Sequence, residues 1–143
     1  MAEGDRVNLP AVRKAMAEAL DFEGVNVSPY ASSQPVTPGI QIIPPAVSFD
    51  YTFGTTSGLD EWTFIIQGFV ALNEDVTSQM LLDELCGGGA NSVKAALELD
   101  KTLGGAVANL RVVEQSPGRL VDRGGGQPML LVEWRVMVYA NGA

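Results

Sequence analysis

The chain has 143 residues, 46% of them hydrophobic, which suffices for one domain with a proper core and leaves too little for two. Its 17 acidic residues outnumber 9 basic ones, giving a net charge of -8 and a pI near 4.3. A broad basic patch for neutralising phosphates is therefore ruled out, and tight nucleic-acid binding is disfavoured.

Asn8 is placed to cap a helix over residues 9–21, with Leu9, Val12, Met16, Ala19 and Leu20 on one arc and Lys14, Glu18 and Asp21 opposite. Residues 24–45 are rich in Pro, Ser and Thr, with short β-branched pieces at 25–27 and 40–43. Pro29, Pro35, Pro38, Pro44 and Pro45 confine these pieces to sheet edges or extended connections, because proline cannot donate to a ladder. Val47, Phe49 and Tyr51 then alternate with polar residues, and residues 54–58 read as a turn. A long strand follows over 61–72: Trp62, Phe64, Ile66, Val70 and Leu72 share one face, and Glu61, Thr63 and Gln67 the other.

Asp75 is a candidate cap for a helix over 76–85, whose apolar Val76, Met80, Leu81, Leu82 and Leu85 spread around the wheel, the pattern of a helix buried on more than one side. Asn91 or Ser92 caps another helix reaching about Leu103, with Lys94, Glu98 and Lys101 facing out. Two strands, 107–115 and 129–139, complete the chain; in the last, Leu130, Val132, Trp134, Val136 and Val138 face inward and Glu133 and Arg135 outward. There is no internal repeat, no apolar run of membrane-spanning length and no basic leader at the start, so the reading is cytosolic.

Two glycine triples, 87–89 and 124–126, raise the question of phosphate binding. A phosphate loop places glycines between a strand and a helix. The first triple instead follows a helix, where its leading glycine serves as a left-handed cap and the rest as a hinge. The second lies between two strands as the tip of a long hairpin, flanked by Arg119, Asp122 and Arg123. Two readings of that tip stay open: a loose loop, or a segment that orders against a neighbouring subunit.

Catalytic groups are scarce. With no histidine in the chain, Ser-His-Asp and Cys-His arrangements and His-ligated metals are excluded. Cys86 is the single cysteine, so no intrachain disulfide forms, and at a helix C-terminus it reads as a small apolar residue, not a nucleophile. The adjacent carboxylates Asp60/Glu61, Glu74/Asp75 and Asp83/Glu84 diverge in either a strand or a helix and read as caps and surface. No alternating acidic run suits calcium. Trp62 and Trp134 read as core.

The order of these pieces is a short amphipathic helix, PGIQIIPP, DEWTFIIQGFVAL, the helical pair VTSQMLLDELCGGGANSVKAALE and the hairpin LRVVEQSPGRLVDRGGGQPMLLVEWRVMVYA. In that order and texture the chain resembles the tail terminator, or tail completion, proteins of long-tailed bacteriophages. The resemblance implies an α+β fold, with an antiparallel or mixed sheet of about four to five strands, helices mainly on one face and a long C-terminal hairpin. It also implies a homo-hexameric ring in the virion, assembled in the host cytoplasm, that ends tube growth and meets the head-tail connector. Its partners would be further copies of itself, the tail tube protein and the connector; DNA would pass through an acidic ring without specific binding, and neither cofactor nor membrane is implied. Interface residues are expected at Met80 and Leu81 and along the hairpin at Arg119, Asp122, Arg123, Gly124, Gly125 and Gly126. Two alternatives are another neck or tail component, such as a head completion protein or tube subunit, and a small-molecule-binding domain.

Overall fold

The structure, a computed structural model, describes residues 8–31, 38–48, 60–71, 77–122 and 128–140. The expected turn at 54–58, Phe49, Tyr51, Leu72, Asp75 with its neighbour Glu74, and Val76 lie outside them. Helix α1 (Leu9–Ala19) begins where its cap dictates: Asn8 is extended and its side chain accepts the Ala11 N–H at 3.2 Å, while Pro10 sits in the first turn, where a missing N–H costs nothing. The helix ends short of the expected Asp21, with the Leu20 N–H closing on the Met16 carbonyl. Val12, Met16 and Leu20, one turn apart in succession, are fully buried.

Strand β1 (Asn26–Ser28) runs parallel to β2 (Gly39–Ser48) but reaches only Gly39 to Gln41. Strand β2 in turn lies antiparallel to β3 (Asp60–Ala71). The two β-branched pieces around Ile42 and Val47 are thus one strand, and the register against β3 slips between Ile43 and Ala46, where Pro44 and Pro45 have no N–H to give. The prolines also lie beyond the reach of β1, on the stretch of β2 that has no described strand outside it.

Helix α2 (Thr77–Leu85) packs on β3, and α3 (Val93–Glu98) packs on β4 (Asn109–Gln115), with α1 leaning on α3. Helix α2 is one-sided, contrary to the expectation of burial all round: Leu82 and Leu85 are buried, Leu81 is half-buried and Met80 is 60% exposed. Ser92, not Asn91, caps α3, its hydroxyl accepting the Ala95 N–H at 3.1 Å. The helix stops at Glu98 and does not run on to Leu103, because Asp100 offers the backbone a competing arrangement. Its carboxylate accepts the Thr102 N–H and hydroxyl and the Gly104 N–H, and those bonds hold the acid below its usual pKa. Leu103 is turned to φ 51°, in the left-handed region, and is buried nonetheless.

The last strand, β6 (Pro128–Ala140), pairs with β3 from Asp60↔Ala140 to Ala71↔Met129. Its other side is shared by β4 and by β5 (Arg119–Asp122), which pairs with Leu131 back to Pro128. The fold is therefore α+β around a mixed sheet with a C-terminal strand hairpin. Among the described residues the sheet has six strands and not four or five; the addition is β5, expected only as a solvated flank.

One core unites the buried side chains of all three helices with one alternate set on the sheet: Phe64 and Ile66 of β3, Trp134, Val136 and Val138 of β6, and Ile40, Ile42 and Leu110 of their neighbours. Gly68 of β3 is the glycine this core requires. A Cβ there would lie 2.7 Å from the Trp134 ring, so the indole occupies the space a side chain would fill. No helix among the described residues is long and apolar enough to cross a membrane.

Candidate assembly surface

Alternation sends the remaining residues of β3 and β6 to the sheet face turned away from the core helices, and there they form a side-chain ladder. Gln41 donates to the Gln67 carbonyl oxygen at 2.8 Å, Gln67 donates to Glu133 Oε2 at 2.8 Å, and Arg119 lies 3.6 Å from Glu133 Oε1. The four residues belong to β2, β3, β6 and β5, so the ladder crosses most of the sheet. Toward one end, Phe69, Met129 and Leu131 form a second small buried cluster, with Val121 packed against it. Toward the other, the Tyr139 hydroxyl donates to Glu61 Oε2 at 3.0 Å. Burial, then the Glu61 carboxylate, hold that phenol above its usual pKa, and Arg111 works against them. Arg135 grips Glu114 at 2.6 Å.

The expected interface residues fall on opposite sides of the sheet. Met80 is exposed on α2, and Leu81 lines a cleft of about 500 Å³ with Phe22, Leu85 and the carboxylates of Asp21, Glu23 and Glu84. Arg119 opens β5 on the second face, and Asp122 closes that strand opposite Pro128. Arg123, Gly124, Gly125 and Gly126 lie outside the described residues. The sequence reading missed Leu120, which is 65% exposed between Arg119 and Val121. It also missed Gln67, Gln41 and Glu133 as a connected set, because polar residues on separate strands give no sign of their register. Asp60, read as surface, is buried at the start of β3.

Two further groups stand out. Arg13, though buried within α1, donates from Nη1 to the carbonyls of Pro29 at 2.6 Å and Ile42 at 3.0 Å and stacks 4.7 Å from the Tyr30 ring centre. It locks α1 to the β1–β2 edge. The first glycine triple has the expected capping role: Gly87 takes φ 80°, and the Gly89 carbonyl accepts the Ser92 hydroxyl at 2.6 Å as the chain turns into α3. The Gly87 N–H donates to Gln115 Oε1 at 3.0 Å, the oxygen that also accepts the Trp134 indole N–H at 2.8 Å. The Cys86 thiol is pushed up in pKa by burial and by Asp83, an environment opposed to nucleophilic use. Among the described residues no cluster of carboxylates and thiol could hold a metal. No family model and no curated protein matches the chain.

Proposed function

We propose that this chain is a structural subunit of a bacteriophage tail, a ring protein at the head-proximal end of the tail tube that ends tube growth and offers the joining surface to the head. It works by fitting against copies of itself and its neighbours. A closed ring needs two unlike surfaces on each subunit, since head-to-tail contact joins one patch to a different one.

The observation that carries this reading is that the chain has two such patches on opposite sides of its sheet. One is the cleft floored by Phe22, Leu81 and Leu85 and rimmed by Asp21, Glu23 and Glu84. The other is the sheet margin on the face turned away from the helices, where Arg119 of β5 is held only at 3.6 Å from Glu133. The resemblance to tail terminators rests on one helix, an early strand, a long strand, a helical pair and a closing hairpin in that order, and the elements run in this order with β1 and β5 added. The net charge of -8 suits a ring through which DNA passes without adhering.

Light scattering and native mass spectrometry over a range of concentrations test the reading. A monomer that gives way to one discrete ring is expected. Open-ended polymers would favour a tube subunit, and a stable dimer or heterogeneous aggregate would overturn the proposal.

A further inference from the structure

An edge strand presents backbone groups that invite another strand, and among the described residues β4 lies at the sheet's edge. At Val112 those groups are occupied by side chains. Val112 donates its N–H to Glu98 Oε2 at 2.9 Å, and its carbonyl accepts from Lys94 Nζ at 3.4 Å. Lys94 and Glu98, one turn apart on α3, are themselves paired at 2.8 Å. The register of β4 against β6 slips immediately afterwards, between Val112 and Glu114, and Val113 is left bulged and 38% exposed.

We infer that the Lys94–Glu98 pair is a guard that shuts the β4 edge against strand addition by a second copy of this chain. Three observations bear on it together. Both outward groups of one edge residue are taken by one ion pair, the pair is delivered by the helix packed on that strand, and the bulge bends the strand just beyond the point it covers. A strand arriving from a neighbour would need those same two groups, so it would first have to displace the pair. An ion pair whose only task was to support α3 would need no bond to β4, since i to i+4 contact is complete within the helix. The inference rests on the β4 geometry and is independent of the ring.

Glu98→Ala in the full chain is the deciding variant. Amide exchange followed by mass spectrometry should show the Val112 N–H exchanging faster, on the order of fivefold for one lost hydrogen bond. Light scattering should show species larger than any the parent forms, at concentrations where the parent shows none. Glu98→Gln, which keeps an acceptor oxygen, should restore most of the amide protection and the parental size distribution. Faster exchange at Val112 with an unchanged size distribution would overturn the guard, and so would unchanged exchange. If Glu98→Ala does not fold, Lys94→Met decides: it frees the Val112 carbonyl and leaves the Glu98 bond. Larger species support the guard, and a parental distribution overturns it.

Discussion

The two faces of the sheet are built on different principles. On the core face, contact depends on shape: Phe64, Ile66, Trp134, Val136 and Val138 are almost wholly inaccessible, and Gly68 yields its side-chain space to an indole ring. On the second face, contact depends on directed hydrogen bonds from Gln41 to Gln67 and from Gln67 to Glu133, extended by a longer ion pair from Glu133 to Arg119 that stays partly in water. Burial of apolar area drives folding at roughly 25 cal/mol per Å², whereas a ladder of neutral and charged hydrogen bonds adds about 1 kcal/mol a bond. The first face therefore decides whether the chain folds. The second sets strand register and gives a surface that can still bind.

The sharpest break comes at Gly68. Gly68→Val places methyl groups where a Cβ alone would already be 2.7 Å from Trp134, and the ring is fixed by its own bond to Gln115. A loss of about 3 kcal/mol or more is expected in urea unfolding, the upper range for overpacking. Trp134→Ala, which empties the same space from the other side, is expected to cost about 3–5 kcal/mol. Joining Gly68→Val with Trp134→Leu should recover part of the first loss, and that recovery would locate the damage at this contact. If Gly68→Val left the unfolding midpoint unchanged, the close approach of β3 and the indole would be refuted.

On the second face the corresponding change is milder. Gln67→Leu removes the middle of the ladder, and about 1–2 kcal/mol is expected from the two bonds lost. Arg119→Ala at the exposed end is expected to cost no more than about 0.5 kcal/mol, since its contact is long and largely hydrated. A larger effect of Arg119→Ala than of Gln67→Leu would reverse the gradient along the ladder.

Much of the core face could be read directly from the residues, for a physical reason: burial selects apolar side chains at a fixed period. Trp62, Phe64, Ile66 and Val70 at every second position announce β3 and its inner side, and Asn8 and Ser92 announce two helix starts by chemistry local to the chain. The candidate surface was legible only in fragments. Leu81 and Arg119 were named as expectations, but the ladder joins residues up to 66 positions apart, and only strand register brings them together. Strand β5 was missed because four residues ending in charge carry too short an alternation to be distinguished from a loop. The end of α3 was missed because the turn around Asp100 wins over a pattern that would otherwise continue the helix.

The helices cover the core face, and Leu81 tests whether their outer side belongs to the core or to an interface. Leu81 is half-buried in a cleft already carrying Asp21, Glu23 and Glu84. Leu81→Glu adds a fourth carboxylate there, so folding is expected to weaken by about 1 kcal/mol or slightly more, through lost apolar contact and like charge. Association into a ring is expected to fail outright. Equal loss of ring formation in Met80→Ser and Leu81→Glu would assign the whole exposed side of α2 to the contact. Rings persisting in Leu81→Glu would remove the cleft from it.

The smallest effect expected is a dependence on acidity where side chains of α3 reach the strand β4. Burial acts to raise the Glu98 carboxyl, but the Lys94 hydrogen bond, the Val112 N–H and the charges of Lys94 and Lys101 outweigh it, so this acid titrates below the ordinary glutamate range. A carboxyl whose folded pKa is depressed stabilises the native state above its unfolded pKa, and that contribution disappears as pH falls through the folded value. Stability in the parent should therefore decline more steeply than in Glu98→Gln as pH drops below the ordinary glutamate range. The gap between the two should be widest near neutral pH, though small because Lys94 is about half exposed and the pair is screened, and should close as pH falls through the folded pKa. This acid-dependent part should vanish in Glu98→Gln while the apolar contribution of Val93 and Leu97 on the same helix persists. Parallel pH profiles for the two chains would mean that the negative charge of Glu98 carries no stability of its own.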